Sequence, residues 1–412
     1  MFGLKEAEVS TLVRAVCGQP ELDRDSIEHR FARATWCGIS EPGDGVAGLV
    51  IAHLGASRAL AALVERWTPT QWVGALPDDT ATPGDLGQAI ARWQPRLSSE
   101  SSLVALRQAE RFGVRLRIPG EPDWPGGLDS LEVHAPLALW SRGSDDAFAA
   151  IGRSVSLVGA RAATGYGEHV TMEASAGLVD RGYAITSGGA YGIDGMAHRA
   201  ALASHGHTIA FMAGGVDRFY PSGHEALLTR IVQTGSVISE LPCGMAPTKW
   251  RFLQRNRLIA AASLATVVIE AGWRSGTLNT AGHAARLGRP LGAVPGPVTS
   301  AASAGCHRLI REYQAVCVTS PEEMAELAPL PGTDLGGPVV VALEDPDDTR
   351  VLDALSTNSG RTVQKVAVHA GLSLDAARGA LGRLALEGRV REAPRGWMKV
   401  RPRGTAGSIL DA

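Results

Sequence analysis

The sequence predicts an α/β protein centred on a doubly wound, mostly parallel sheet, with a helical N-terminal region and a small basic domain at the C-terminus. Three observations carry this prediction. From about Val155, short β-branched runs alternate with helical segments. The runs are apolar throughout rather than at every second residue, as strands covered on both faces are. Gly-rich, polar turns follow the strands, at the ends where open α/β sheets take their ligands.

Taken in order, residues 1–115 read as short helices separated by Gly, Pro and Asp loops, a helical (SAM-like) region. Within it, VAGLVIAHLGASRALAALVERW (46–67) has the apolar spacing of a helix, a glycine break and a second helix. Such a hairpin serves either packing and dimerisation or contact with a DNA backbone, and packing is the plainer role. The central domain, 116–328, runs VSLVG (155–159), a helix near 166–181, AITSG (184–188), a helix near 192–205, and TIAFMAG (208–214). It continues with a helix near 223–234, SVISE (236–240), RFLQRNRLIAAAS (251–263), TVVIE (266–270), a helix at about 277–287 and LGAVPG (291–296). Right-handed crossovers between such strands give an extended Rossmann-like domain. Residues 329–345 form a linker, with one short strand in the surrounding stretch 328–350. Residues 346–403 give a helix, a second near 362–369, the turn Gly371-Leu372-Ser373, a third near 374–387 and a hairpin after Gly388. That order is a winged helix-turn-helix pattern.

A chain of 412 residues is expected to hold two or three domains. With 45% hydrophobic and 20% charged residues it has the composition of a globular protein with a substantial core. No uninterrupted apolar run reaches roughly 18 residues, and the N-terminus lacks a basic stretch leading into an apolar one. The expected location is therefore the cytoplasm, with no membrane partner. Five scattered cysteines, none in a CxxC spacing, argue against a zinc site or a disulfide framework and for reduced structural thiols. The net charge of −2 does not favour a nucleic-acid partner. Residues 361–403 nevertheless hold ten Lys/Arg (361, 365, 378, 383, 389, 391, 395, 399, 401, 403) against three acids (375, 387, 392). That local excess suggests duplex DNA contact through the third helix or the wing; the alternative is a protein-interaction module.

The chemistry-bearing residues cluster at strand ends. Gly159 to Gly167 follows the first central strand; Arg161 can reach an anion, and the next helix N-terminus offers free N–H donors. The spacing is neither GxGxxG nor a P-loop, and the loop alone reads equally as a structural turn or an anion site. The second strand ends in Thr186-Ser187-Gly188-Gly189-Ala190-Tyr191-Gly192-Ile193-Asp194, where glycines allow close backbone approach. His198 reads as a core histidine. Past Glu270, Arg274, Ser275, Gly276 and Thr277 present a cation, hydroxyls and N–H groups at a helix start. The preceding helix carries Arg251, Arg255, Asn256 and Arg257, with Lys249 ahead of it. Converging loops at both neighbouring strand ends favour a basic pocket over a merely solvated charge run.

The blocks LVGARAATGYG, TSGGAYGIDGMAHRAAL, TIAFMAGGVDRFYP, SVISELPCG, FLQRNRLIAAAS, VIEAGWRSGTLNTA and PGPVTSAASAGCHRLI resemble, in order and spacing, the signature blocks of the DprA/Smf family. The resemblance covers about residues 120–327, and DWPGGL (123–128) is similar to the family's entry block. It implies an extended Rossmann-like fold without a catalytic reaction, metal or cofactor, usually dimeric. The implied activity is to bind and protect single-stranded DNA and to load the RecA recombinase onto it in natural transformation. By the same resemblance the nucleic-acid contacts are Arg161, Ser187, Gly188, Arg255, Asn256, Arg257 and Ser275 to Thr277, with Lys249 and Arg274 as flanking cations. Tyr191 stands where the family often has Arg, and His307 where it commonly has Asn.

A sequence-independent single-strand binder needs a basic track for phosphates and flat rings for bases. Arginines 161, 255, 257 and 274 supply the first. Tyr166, Tyr191, Trp250, Phe252 and Trp273 lie beside these blocks, at least half of them expected in the core. Arg255→Ala with Arg257→Ala is expected to weaken single-strand binding without unfolding the protein. The rival is a nucleotide phosphoribohydrolase-like enzyme of similar fold. Its PGGxGTxxE motif is replaced here by AGWRSGTLNT, with Thr280 where the catalytic Glu would stand. A transcription regulator would need sequence-specific duplex binding, which nothing in the central domain suggests.

Overall fold

Five helices of the N-terminal region begin where a side chain supplies an oxygen to their first free N–H groups. The computed structural model, which describes residues 3–330, 345–386 and 388–400, places seven helices before the main sheet. They are α1 (Glu6–Cys17), α2 (Arg24–Ile39), α3 (Gly45–Leu54), α4 (Ala56–Val64), α5 (Pro69–Gly74), α6 (Pro83–Trp93) and α7 (Ser99–Arg111). Asp23 caps α2 and Asp44 caps α3, while Thr68 and Thr82 form capping boxes with Gln71 and Asp85, each followed by proline. The break at Gly55 turns α4 by 109° from α3. No single helix among the described residues is long and apolar enough to cross a membrane.

These helices close over an indole cluster, with Trp93 edge-on to Trp36 at 5.1 Å and to Trp72 at 6.4 Å. The same buried cluster continues into the sheet through Trp140, Ala210 and Val237. The helical region and the sheet therefore share one core, and the chain divides into two compact units, Met1–Thr333 and Asp334–Ala412.

The sheet adds β1 (Arg115–Arg117), β2 (Leu139–Gly143), α8 (Asp145–Ala149), β3 (Ser154–Val158), α9 (Gly165–Asp180), β4 (Ala184–Gly188) and α10 (Ile193–Ala203). Next come β5 (Thr208–Phe211), α11 (Glu225–Thr234), β6 (Ser236–Ser239), α12 (Lys249–Ala262), β7 (Ala265–Val268) and α13 (Thr277–Arg286). The unit ends with β8 (Leu291–Ala293), α14 (Ala304–Glu312), β9 (Val316–Cys317) and α15 (Pro321–Glu326). Strand order is β1-β2-β6-β5-β4-β3-β7-β8-β9, antiparallel only at β1–β2 and β2–β6. Strands β3 to β7 are buried at every position, as their apolar runs predict. From β6 the chain crosses through α12 to β7, on the other side of β3, so the order reverses between β3 and β7. That reversal opens a crevice at the carboxyl ends of the two strands.

The five cysteines are all unpaired. Burial raises the thiols of Cys37, Cys243 and Cys306 to about 12 and that of Cys17 to about 11, which makes them inert.

The second unit holds α16 (Pro346–Ala354), α17 (Val363–Ala370), α18 (Leu374–Leu386) and an antiparallel hairpin of β10 (Val390–Ala393) and β11 (Gly396–Lys399). Its core joins Val351, Val366, Leu381 and Leu384, with Trp397 packed against it. The expected charge excess does not sit on the third helix. Arg378 pairs with Asp375, and Arg383 pairs with Asp345 and Asp348. Arg391 and Arg395 of the hairpin are exposed. Of the residues counted in that excess, Glu387, Arg401 and Arg403 lie outside the described residues, as does most of the linker and the short strand expected near it.

Candidate nucleic-acid interface

The crevice is a cavity of about 420 Å³, and Arg161, Phe252, Arg255, Asn256, Ser275 and Thr277 are among the residues that line it. Three loops build it, and hydrogen bonds tie them to one another. Glu270, at the end of the β7 run, accepts from the Thr164 amide at 2.9 Å and hydroxyl at 2.6 Å. Thr164 in turn caps α9. Thr277 donates its hydroxyl to the Gly159 carbonyl at 2.8 Å, joining the loop before α13 to the loop after β3. The third loop enters α10 through Gly192, whose φ of +74° suits a residue without Cβ. A Cβ there would lie 2.2 Å from the Ala160 carbonyl oxygen, so glycine also permits the two loops to cross.

On one wall, Arg161 and Arg255 stand 5.5 and 5.8 Å from the centre of the Phe252 ring. Arg255 donates to the Phe211 carbonyl at 2.6 Å and to the Asn256 amide oxygen at 3.2 Å, and lies on the cavity floor. Desolvation holds its pKa below the usual guanidinium range, opposed by the charge of Asp194. Asp194 is the carboxylate in the lining; burial raises its pKa, and Arg255 counters the effect. Two buried opposite charges, Asp194 and Arg255, beneath an exposed Arg161 leave the cavity mouth positive.

The expected site residues fall into three groups. Arg161, Arg255, Asn256, Ser275, Gly276 and Thr277 come together at the cavity. Lys249 and Arg274 are exposed beyond its lining and form no ion pair among the described residues. Ser187, Gly188 and Arg257 lie elsewhere. Ser187 is buried and donates to the Leu157 carbonyl at 2.6 Å. Gly188 is buried because Arg255 needs its space: a Cβ there would lie 2.2 Å from an Arg255 nitrogen. Arg257 is 3% exposed. All five of its N–H groups have partners: two bonds each to Glu240 and the His134 carbonyl, and one to the Gln254 carbonyl. Removing it with Arg255 therefore strands a buried carboxylate, and the expectation that this double substitution leaves folding intact does not fit the structure. Arg251 is similarly held by Glu41.

The rings depart from expectation in the other direction. Tyr166, Tyr191, Trp250 and Trp273 are 42–55% exposed, and only Phe252 is half-buried, so the set is surface rather than core. His198 is a core residue as read, between the Thr208 hydroxyl and the Gly188 carbonyl, with a pKa pushed down to about 4 by burial. Glu270, the clamp on the β3 loop, and Asp194, the partner of Arg255, were not assigned those tasks by sequence. Their signal was a carboxylate at a strand end and one at a helix start.

The family model described as DNA recombination-mediator protein A matches residues 115–329, which contain every loop of this cavity. The chain belongs to that family. The putative DNA processing protein DprA of Mycobacterium tuberculosis (strain ATCC 25618 / H37Rv) is 42% identical over 309 residues, covering 71% of this chain and 79% of that one. Protein Smf of Escherichia coli (strain K12) is 37% identical over 233 residues, 56% of this chain and 60% of that one. The X-ray structure of DprA from Streptococcus pneumoniae superposes with a TM-score of 0.58 at 26% identity, covering 74% of this chain and 98% of that one. The DprA/Smf resemblance and its Rossmann-like sheet are thus shown. Of this chain's two departures within the family blocks, Tyr191 packs edge-on against His224 at 4.7 Å and stays exposed. His307 hydrogen-bonds the Gly296 backbone.

Proposed function

We propose that this DprA/Smf chain binds single-stranded DNA at the β3–β7 crevice, protects the strand and delivers it to a RecA-type recombinase, acting as a homodimer and without catalysis. The observation that carries the reading is that Arg161, Arg255, Asn256 and the Ser275–Thr277 turn line one cavity, with Arg161 and Arg255 against the Phe252 ring. Phosphates take the cations and the N–H groups at the helix starts; bases take the rings. Because the cavity presents ring faces and backbone-type donors, binding is tolerant of sequence. Lys249 and Arg274 extend the basic surface on either side. Ser187, Gly188 and Arg257 support the site from beneath.

The second unit supplies a duplex DNA contact in this proposal, through Arg391 and Arg395 of its hairpin rather than through α18. Deleting everything after residue 345 then lowers duplex affinity and spares single-strand affinity; unchanged duplex affinity would assign the unit to protein contacts instead.

The test of the main reading is titration of the full chain with single- and double-stranded DNA at several salt concentrations. Tighter binding to the single strand with a steep salt dependence is expected, and equal or salt-independent binding would overturn it. Recombinase delivery is checked by faster filament assembly on DNA coated with single-strand-binding protein. Against the phosphoribohydrolase reading, Thr280 lies buried in the cavity lining where that enzyme needs a carboxylate. Release of ribose phosphate from AMP would restore the enzyme reading.

A further inference from the structure

A second depression adjoins the start of α12, between that helix and the N-terminal helices. It encloses about 410 Å³ and is lined by Glu41, Asp44, Arg92, Trp93, Arg96 and Trp250, among others. We infer that it is a second subsite for the single strand, in which the N-terminal helical region takes part in nucleic-acid binding. The inference rests on the reading of the β3–β7 cavity and extends it.

Continuity is the first argument. Trp250, Leu253 and Asn256 recur at three-residue spacing, so they share one face of α12 over roughly 9 Å of its axis. Trp250 and Leu253 are exposed and Asn256 is half-exposed. Trp250 belongs to the depression, while Leu253 and Asn256 line the first cavity. One helix face thus connects the two, without an acidic side chain along it.

The second argument is chemical. Trp250 is 55% exposed, which leaves indole surface on which a base can stack. Both carboxylates of the depression are already engaged. Asp44 accepts from the Val46 and Ala47 amides and from the Trp93 indole at 3.0 Å. Glu41 accepts two bonds from the buried Arg251 and lies 2.8 Å from Arg96. Arg92 and Arg96 retain 54% and 42% side-chain exposure, and Lys249 is exposed beside Trp250. Arg92 pairs with Asp44 at 3.4 Å and Arg96 with Glu41 at 2.8 Å, and both carboxylates keep other donors, so each guanidinium can turn to a phosphate. An aromatic face with cations on both sides, continuous with a basic cavity, has the chemistry of a nucleotide subsite.

The test compares fluorescently labelled oligothymidines of about 2 and about 20 nucleotides: at roughly 3.4 Å or more per nucleotide, the first stays within one cavity and the second crosses both. Trp250→Ala and, separately, Arg92→Gln with Arg96→Gln are each expected to weaken the long strand about tenfold and leave the short one unchanged. Arg161→Ala should weaken both strands. All these side chains are exposed, and matching melting temperatures verify that the variants fold. Loss on neither strand from the Trp250 and Arg92/Arg96 changes, with loss on both from Arg161→Ala, would remove the subsite and leave the first reading standing. Equal loss on both strands from Trp250→Ala would make the ring part of the first cavity and overturn the inference. An effect of Trp250 without one from Arg92 and Arg96 would remove the N-terminal region from the path. Unchanged binding of both strands by Arg161→Ala would instead strike the reading of the first cavity itself.

Discussion

Replacing Arg257 by alanine separates stability from DNA affinity at the family's RNR block. Its guanidinium pairs with Glu240 at 2.5 and 2.6 Å, with both side chains under a tenth exposed. Removing one partner of such a pair leaves the other charge buried and uncompensated, at a cost of about 3–5 kcal/mol. At ~2 °C per kcal/mol for a large domain, the melting temperature should fall by roughly 6–10 °C. The double substitution Arg257→Met with Glu240→Leu removes both charges and should recover most of the loss, since a buried pair replaced by apolar groups of similar volume is often neutral or better. Thermal unfolding of the three proteins supplies the comparison, and oligothymidine titration well below the lowered transition supplies the affinity. Single-strand affinity of folded Arg257→Ala should stay within about twofold of the parent, because no N–H of Arg257 is left for a phosphate. A variant that melts with the parent yet has lost its affinity would refute the reasoning, since the guanidinium would then be serving DNA and not Glu240.

Three further outcomes follow from the same geometry. Arg161→Ala should weaken single-strand binding and lower the slope of log affinity against log salt by about 0.7, the share of one phosphate contact; an unchanged slope would place Arg161 off the strand. Gly192→Ala should destabilise the protein and cut DNA affinity together, because its Cβ meets the Ala160 and Arg161 carbonyls and forces apart two loops of the site. His198 is held neutral with a pKa of about 4 against 6.5 when unfolded. The unfolded chain therefore binds more protons between those values, and His198 stabilises the fold fully above about 6.5 and progressively less as pH falls toward 4. The loss is about 3 kcal/mol by order of magnitude, and a His198→Gln variant should show a flatter acid limb in urea titrations; identical limbs would clear His198 of it.

The parallel strands were legible because burial on both faces writes an uninterrupted apolar run, and β3 to β8 fall within a residue or two of the runs that predict them at their starts. Strands β1, β2 and β9 were not. β1 and β9 are edge strands of three and two residues, and Arg115, Arg117 and Arg142 interrupt the apolar pattern of β1 and β2, so these strands form through pairing with their neighbours. The helices of residues 1–115 were legible from their spacing, but their partner was not. Periodicity tells that Trp36 or Trp93 faces inward; it does not tell that the same core continues to Trp140 and Val237. A reading in separate regions at residue 115 therefore missed the continuous interior.

The site shows where sequence reasoning had more to use than it took. At 100° per residue, Arg257 points about 200° away from Arg255, so both cannot face one cavity on the same helix. The one that faces the β3–β7 crevice lies with Asp194 and Phe252, and the other has to find a buried acid, which Glu240 at the end of β6 provides. The rings reverse the usual expectation for a different reason. Trp36, Trp72, Trp93 and Trp140 lie within helices or a strand and are fully buried, whereas Trp250 and Trp273 sit at a helix start and in a loop, beside Lys249, Arg251 and Arg274, and stay exposed. A buried ring gains its area in the core; an exposed one leaves that area in water, a cost a fold avoids unless something covers it. Bases are flat, apolar-faced and joined to charge at a spacing that suits a ring beside a cation. The exposed Tyr166, Trp250 and Trp273, beside the cations Arg161, Lys249 and Arg274, form the surface that the proposed single strand would cover.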